Sequence, residues 1–527
     1  MKKNDGKKKG LRFLCALLAL CSAFAFSACD VADILGGISL GGDSSSAPPS
    51  TEEDTDSSDR HSDKNTDKDS GSDGESANEN TGDETSSGAE DTGDGGAEKE
   101  APTGNVPDPQ KPDLEPQAIG EKYGYRQLAT YENGDGLRAF YADLYEAARA
   151  FAGSGKTVQS DSVNGEMRYR IGTMDYAQYE ISLEQAVSVW RTVRAEYPEF
   201  YFLSNGLSFS KDEGILYFEI YPEYAKASTR AAIDKEIESL AEECSTYIDE
   251  SMTEEEKILV LHDFVAAKIT YAFESDGVTP LETNWAHNLV GAARYGAGVC
   301  ETYAETFDYL CGAFGIECLT VVGEADNGEG RGGHEWNLFR IGEGETASWH
   351  AADVTWDDGA DAQSFLLRKW LGGNETEYCE THFVETDEVW GETWQVRLPA
   401  LSSKPLSPVL LRENSGENQL CLSIDDAFEK MTNEGSMYEI TLYPETSVTE
   451  NYGLTVYSVC AEFATAELPE VAQIKIVGTG FYPCEVTALN ELTLTCETVL
   501  TDCTLYADIP LTDEWLEYEN GEWIEKP

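Results

Sequence analysis

The sequence predicts an α+β protein with a strand-rich C-terminal part. Three observations carry this. Helical spacing and capping signals recur between 116 and 315, two alternating runs flank a glycine-rich turn near 343, and a series of short β-type runs follows position 401. The 527 residues allow roughly three or four domains. Apolar residues make up 40 % of the chain and aromatic residues 10 %, enough for hydrophobic cores. Against 37 Lys and Arg stand 99 Asp and Glu, a formal net charge of −62. Such an excess excludes a nucleic-acid partner, which would need a basic stripe for its phosphates. Six histidines and no Cys-x-x-Cys leave little material for a zinc site, so no metal and no cofactor are expected.

Residues 1–29 read as an export signal. Lys2, Lys3, Lys7, Lys8, Lys9 and Arg12 precede an apolar run from Phe13 to Phe26, too short to span a bilayer. The run ends Phe26-Ser27-Ala28-Cys29, which resembles the lipobox of bacterial lipoproteins. That resemblance implies lipidation of Cys29 and a membrane partnership through a lipid anchor on the outer face of the cell membrane. Residues 30–115 read as a disordered acidic linker: 41–115 hold 22 acids, 5 bases and almost no large apolar side chain. A flexible chain of that length reaches roughly 50 Å.

Three domains are expected after the linker: an α+β extension at 116–253, a core domain at 254–400 and an all-β module at 401–527. In the extension, Leu137, Phe140, Leu144, Ala148 and Phe151 repeat at helical spacing and stop at Gly153. Ser182-x-x-Gln185 is a capping box for a second helix ending before Pro198, and Ile215 to Tyr221 reads as a strand. Thr253-x-x-Glu256 caps a further helix with Ile258, Leu261, Val265 and Ile269 on one face; His262 on it is expected to be a surface or core residue. After 401, one helix is expected at Ser423 to Met431, among strands at Tyr438–Tyr443, Leu454–Val459, Ile474–Val477, Glu485–Ala488, Leu492–Cys496 and Leu505–Ile509. Such short, evenly spaced runs suit a sandwich or a solenoid. Met437 to Leu442 and Ile474 to Gly478 resemble coils of a right-handed β-helix.

The chemistry-bearing residues lie in the core domain. Cys300 follows Gly296 and Gly298. After it Tyr303, Phe307, Leu310, Cys311 and Phe314 recur at helical spacing, with Gly315 closing the pattern. Cys300 therefore starts a helix, where unpaired N–H groups and the helix dipole favour a thiolate. Cys311 lies mid-helix and should be inert. The run His334-Glu335-Trp336-Asn337-Leu338-Phe339 and the run Ser348 to Trp356 flank Gly342-Glu343-Gly344-Glu345. A hairpin turn centred between Glu343 and Gly344 sets His334 directly opposite Asp353, about 4.5–5.5 Å apart at Cβ. A nucleophile at a helix start and a base oriented by an acid follow the logic of a catalytic triad.

Gly298-Val299-Cys300-x-x-Tyr303-Ala304, His334-x-Trp336-Asn337 and Asp353-Val354-Thr355-Trp356-Asp357-Asp358, in that order, resemble the transglutaminase-like superfamily. The resemblance covers roughly 254–396 and implies a papain-like core. It also implies Cys300 as nucleophile, His334 as general base and acid, and Asp353 as orienting residue. Thr302 stands where many relatives carry glycine, which implies a narrower pocket. The expected reaction is attack of the thiolate on a carboxamide or peptide carbonyl to give a thioester, then transfer to water or an amine. Hydrolysis is preferred, because nothing in the sequence recruits an amine. The substrate class is a protein or a cell-wall peptide.

One oxyanion donor is expected from the Cys300 backbone N–H, with His287, Asn288 and Tyr295 as candidate side-chain partners. Trp336 and His350 are further candidates near the triad; Trp336, Trp349 and Trp356 read mainly as core. Asp357 and Asp358 read as a solvated turn rather than a metal pair. Thirteen cysteines less Cys15, Cys21, Cys29 and Cys300 leave nine, an odd number, so not all can pair within the chain. Cys460, Cys484, Cys496 and Cys503 are candidates for bridges. The competing class is a surface-binding module whose triad is silent. A carbohydrate lyase in the C-terminal part lacks an acid/base grouping. The sequence leaves the oligomeric state open.

Overall fold

The computed structural model describes residues 109–459 apart from 164–165, 329, 359–364, 385–395, 434–435, 443 and 457, together with the backbone of short strands between 473 and 525. The export signal, Cys29 and most of the acidic linker lie outside the described residues, as do Cys460, Cys484 and Cys503.

Helix α1 (Gly134–Ala152) buries Leu137, Phe140, Tyr141, Leu144, Tyr145, Ala148 and Phe151 and ends at Gly153, the stop that the spacing predicts. Helix α2 (Leu183–Glu196) starts on the Ser182–Gln185 capping box with both reciprocal hydrogen bonds formed. Strands β1 (Arg170–Asp175), β2 (Ser208–Ser210) and β3 (Ile215–Glu219) form an antiparallel sheet with β3 in the middle. After α3 (Ala227–Ser245), helix α4 (Glu254–Lys268) opens on the Thr253–Glu256 capping box. Its burial runs further round than the predicted single face. Leu259, Val260, His262, Asp263 and Phe264 are buried as well as Ile258, Leu261 and Val265. A helix surrounded on all sides belongs inside a core.

Helix α5 (Cys300–Ala313) ends as the glycine signal predicts. Gly315 takes φ +83 and Ile316 N–H donates back to Cys311 O at 2.8 Å. Behind it lies a five-stranded sheet of β4 (Cys318–Asp326), β5 (Arg331–Ile341), β6 (Ser348–Ala352), β7 (Leu371–Gly373) and β8 (His382–Val384), in the order β7-β6-β5-β4-β8, with every neighbouring pair antiparallel.

Here the predicted hairpin register is corrected. Ser348 pairs with Ile341 and Ala352 with Asn337, so the turn is centred one residue later, between Gly344 and Glu345. The cause is the connection itself: Gly342 at φ +84, then a 3-10 turn at Gly344–Thr346. His334 pairs with Gly323 of β4, while Asp353 lies one residue past β6. Moving the centre by one shifts each partner by two, which keeps the face of the sheet unchanged. His334 and Asp353 thus become diagonal neighbours instead of direct ones.

Asp353 caps the short helix α6 (Val354–Asp357), its carboxylate accepting from Trp356 N–H at 3.1 Å. The expected solvated turn at Asp357 and Asp358 is overturned. Asp357 is buried, contacts His262 Nε2 at 3.1 Å and accepts from the Trp370 N–H, while Asp358 accepts from Tyr303 O–H at 2.6 Å. His262 Nδ1 reaches Asp263 at 3.2 Å, and Arg368 makes a two-pronged contact with Asp263.

One continuous apolar core runs from Leu128 to Val448. The stretches 116–253 and 254–400 therefore share their interior. After helix α7 (Glu375–Thr381), the segment beyond 401 holds two helices among the described residues. These are the predicted α8 (Ile424–Lys430) and α9 (Ser447–Tyr452), which corrects the all-β expectation; α9 starts on a Thr446–Thr449 capping box. The sheet there comprises β9 (Val409–Glu413), β10 (Gln419–Cys421), β11 (Met437–Leu442), β12 (Gln473–Thr479) and β13 (Leu492–Thr498), in the order β10-β9-β11-β12-β13. Strands β10, β9 and β11 pair antiparallel, and β11, β12 and β13 pair parallel.

Candidate active site

Cys300 begins α5, with Val299 as the N-cap residue. The loop before it is made of residues that have little choice. Gly296 adopts φ +58, and a Cβ on Gly298 would lie 2.2 Å from Thr302 Oγ1. Thr302 itself is buried and points into the preceding loop, its hydroxyl donating to Ala286 O at 2.7 Å. It ties helix to loop, a role different from the pocket narrowing that the comparison with glycine implies.

The Cys300 S–H donates to Glu301 Oε2 at 3.2 Å, and the sulfur lies near enough to the His334 imidazole to favour its charged form. His334 Nε2 lies 2.7 Å from Asp353 Oδ2, so Nδ1 is the ring nitrogen that this carboxylate does not engage. Burial works against charge on His334, but the carboxylate of Asp353, its hydrogen bond and the Cys300 contact outweigh it and push the imidazole up to about 10. Burial likewise opposes ionisation of Asp353, yet His334 and then His382 hold it well below the ordinary carboxylate range. The pair is therefore imidazolium and carboxylate at neutral pH. Cys300, His334 and Asp353 are each only 1 % exposed, so a substrate carbonyl reaches the sulfur only when the packing beside it opens.

The segment carrying these side chains matches a family model. Residues 240–354 match the model of the transglutaminase-like superfamily. This segment is a transglutaminase-like domain. A solved structure described as "Crystal structure of a TGase" is 17 % identical, matches 29 % of this chain and 43 % of its own length, and has a TM-score of 0.21. The chain thus covers under half the length of that relative. No curated protein matches the chain.

Within the transglutaminase-like domain the other candidates fall at different distances from the sulfur. His287 is one contact removed: its Nδ1 lies 2.9 Å from Glu301 Oε1 and its Nε2 2.9 Å from Leu281 O. Burial disfavours its charge, but Glu301 more than compensates and raises its pKa. Cys300 accordingly stands between two imidazole–carboxylate pairs, His334 with Asp353 and His287 with Glu301. Asn288 is buried with its amide nitrogen on Asn284 O at 2.7 Å and its carbonyl oxygen accepting from Val290 N–H at 3.0 Å. Tyr295 is 50 % exposed, packs on Trp285 with ring centroids 4.1 Å apart, and lines a surface cavity of about 300 Å³ with Arg294. Trp336 lies nearly parallel to the His334 ring at 6.2 Å, and Trp356 stacks on it at 5.6 Å. His350 is buried on β6 with Nε2 2.8 Å from Ser348 Oγ, and burial pushes it down to about 4. Cys311 is buried and its thiol is pushed up by burial, consistent with the inert role expected of it.

Two neighbours escaped the sequence reading. Glu301 is adjacent to the cysteine, and only the structure reveals that its side chain turns back to the thiol. His382 on β8 brings Nε2 to 3.2 Å from Asp353 Oδ2. No spacing signal links it to positions 334 and 353; its scarcity, one of six histidines, was the one available hint. His334, Asp353 and His382 also form the group that could close on a metal ion among the described residues, their donor atoms lying within 4.8 Å of one another. The two contacts to Asp353 are of N–H···O length, so hydrogen bonding accounts for the arrangement as it stands.

Proposed function

We propose that this protein is a thiol enzyme of transglutaminase-like type that cleaves amide bonds, or transfers their acyl group, through a thioester on Cys300. The observation that carries the reading is the chain of contacts from Cys300 to His334 to Asp353, with the sulfur at a helix start. In the reactive form of the proposed cycle the Cys300 proton sits on His334. The thiolate attacks the carbonyl carbon, and the C–N bond breaks as the imidazolium protonates the departing amine. The now neutral His334 takes a proton from the water that cleaves the thioester, which restores the thiolate and imidazolium. Asp353 keeps the imidazole aligned and charged. The Cys300 backbone N–H supplies the oxyanion contact; His287 and Asn288 have their polar atoms engaged elsewhere. The acceptor is water in preference to an amine, and the substrate is a protein or a wall peptide.

The basic and apolar leader ending at Cys29 supports export and a lipid anchor. The acidic stretch that follows supports a tether from the outer membrane face. The C-terminal segment is proposed as a solenoid-like module. Parallel pairing of Tyr438 with Ile474 and of Ile474 with Leu492, and of Ser458–Val459 with Phe481–Tyr482, supports stacked coils. The second reading is a silent binding module, favoured by the burial of the sulfur.

Iodoacetamide labelling of the purified protein at neutral pH, with the adduct mapped by mass spectrometry, separates the two. The enzyme reading expects selective labelling of Cys300, slowed at least about 10²-fold in His334→Ala. Labelling of Cys300 no faster than of Cys379, an exposed free thiol, supports the binding module.

A further inference from the structure

We propose that His382 is a positioning residue: its Nε2–H holds the Asp353 carboxylate oxygen that orients His334 toward Cys300. The inference rests on the triad reading above and adds to it a fourth side chain, supplied by β8 from outside the matched segment.

Asp353 sits where local structure fixes a side chain poorly, past the end of β6 and at the cap of a four-residue helix. Three donors locate its carboxylate. Oδ1 accepts from Trp356 N–H at 3.1 Å; Oδ2 faces His334 Nε2 at 2.7 Å and His382 Nε2 at 3.2 Å. An ionised carboxylate only accepts, so His382 must carry its proton on Nε2. Its Nδ1 is then an acceptor, and the Thr381 hydroxyl, 2.9 Å away, is the donor that fixes this tautomer. Burial disfavours charge on His382 and lowers its pKa, so the ring stays neutral. The rings of Tyr378, Trp356, Trp336 and Trp370 surround it at centroid distances of 4.5, 4.7, 5.0 and 5.3 Å and set its plane. The titratable groups facing it are Asp353, His334 and Tyr378. The result is a connected chain in which both imidazoles donate to Asp353, from Thr381 through His382 on one side and from His334, beside Cys300, on the other.

The test uses the full chain labelled with ¹⁵N-histidine and two readouts: the resonance of the His334 Nε2-bound proton, and the rate of Cys300 alkylation between pH 5 and 10. His382→Phe keeps the aromatic fit and removes the donor; His382→Gln keeps a donor at the Nε2 position; Thr381→Val removes the tautomer-fixing hydroxyl at constant shape. The expected result is at least a tenfold slower alkylation and a displaced His334 resonance in His382→Phe, since a misplaced group costs about 10²-fold per ångström. His382→Gln recovers most of the rate, and Thr381→Val loses about fivefold. With Asp353→Ala already present, where there is no carboxylate to hold, adding His382→Phe changes the rate less than about twofold. Equal slowing in both backgrounds, or Gln as slow as Phe, makes His382 a packing residue and overturns the proposal. If Cys300 of the parent protein shows no labelling preference, the triad reading fails. The resonance arm still decides the proposal, which falls if the His334 signal is unmoved by His382→Phe.

Discussion

At the residue scale, the environment of each ionisable group sets what it can do. The His334–Asp353 pair is linked to stability in a definite direction. His334 is raised from an ordinary 6.5 to about 10, so its contribution is complete below 6.5 and is lost as pH climbs toward 10. Asp353 is lowered, so its contribution is complete above the ordinary carboxylate range and is lost only in strong acid. Thermal melting should therefore be level just below pH 6.5 and fall progressively between about 6.5 and 10, with a shallower fall in His334→Gln. Asp308 on α5 also disfavours high pH. Burial pushes it up to about 8, so the penalty builds as pH rises from the ordinary carboxylate range toward 8 and is full above it. Asp308→Asn should raise the melting temperature at pH 9 by about 2 °C. No change, or a loss, would mean that the Thr320 hydroxyl contact at 3.4 Å needs the carboxylate. Cys300, His334 and Asp353 were readable because their residue types carry the chemistry in plain view. Glu301 and His382 were not, since what distinguishes them is side-chain direction in three dimensions.

The elements follow their local signals closely where those signals are chemical. The two predicted capping boxes and the terminations at Gly153 and Gly315 form as the residue types dictate. Thr253→Ala should therefore cost about 1 kcal/mol, measured by denaturant unfolding. Gly298→Ala is the sharper test at this scale. The added methyl meets Thr302 Oγ1 at 2.2 Å and must push the helix start away from its loop. Alkylation of Cys300 should fall by at least about 10²-fold even where the protein still folds, and an unchanged rate would show that the loop yields freely. The hairpin shows where local signals stop. Glycines announced a turn, but whether it would be compact or carry an extra 3-10 segment depended on dihedral choices that composition does not encode.

For the whole molecule, charge and texture divide the chain more finely than packing does. The change in texture after 401 is real, yet apolar side chains on both sides of 254 enter one core, and the segment beyond 401 is fastened to α3 and α4. Arg368 bridges Asp263 and Pro444 O, Thr446 O–H donates to Asp263 at 2.7 Å, and Tyr452 O–H donates to Glu243 at 2.9 Å. Long-range pairing of this kind leaves no trace in a local window of sequence. Arg368→Met strands the Asp263 charge in the interior, so unfolding stability should drop by about 3–5 kcal/mol, read from chemical denaturation. A drop below about 1 kcal/mol would mean that His262 and Thr446 satisfy the acid without it.

The same fastening bears on anyone cutting the gene. A clone bounded by positions 240 and 354 would omit the arginine that neutralises Asp263, the β7 edge of the sheet and the second imidazole on Asp353. What folds as one body must be expressed as one body, and a soluble fragment needs to start before Leu128 and run past Val448.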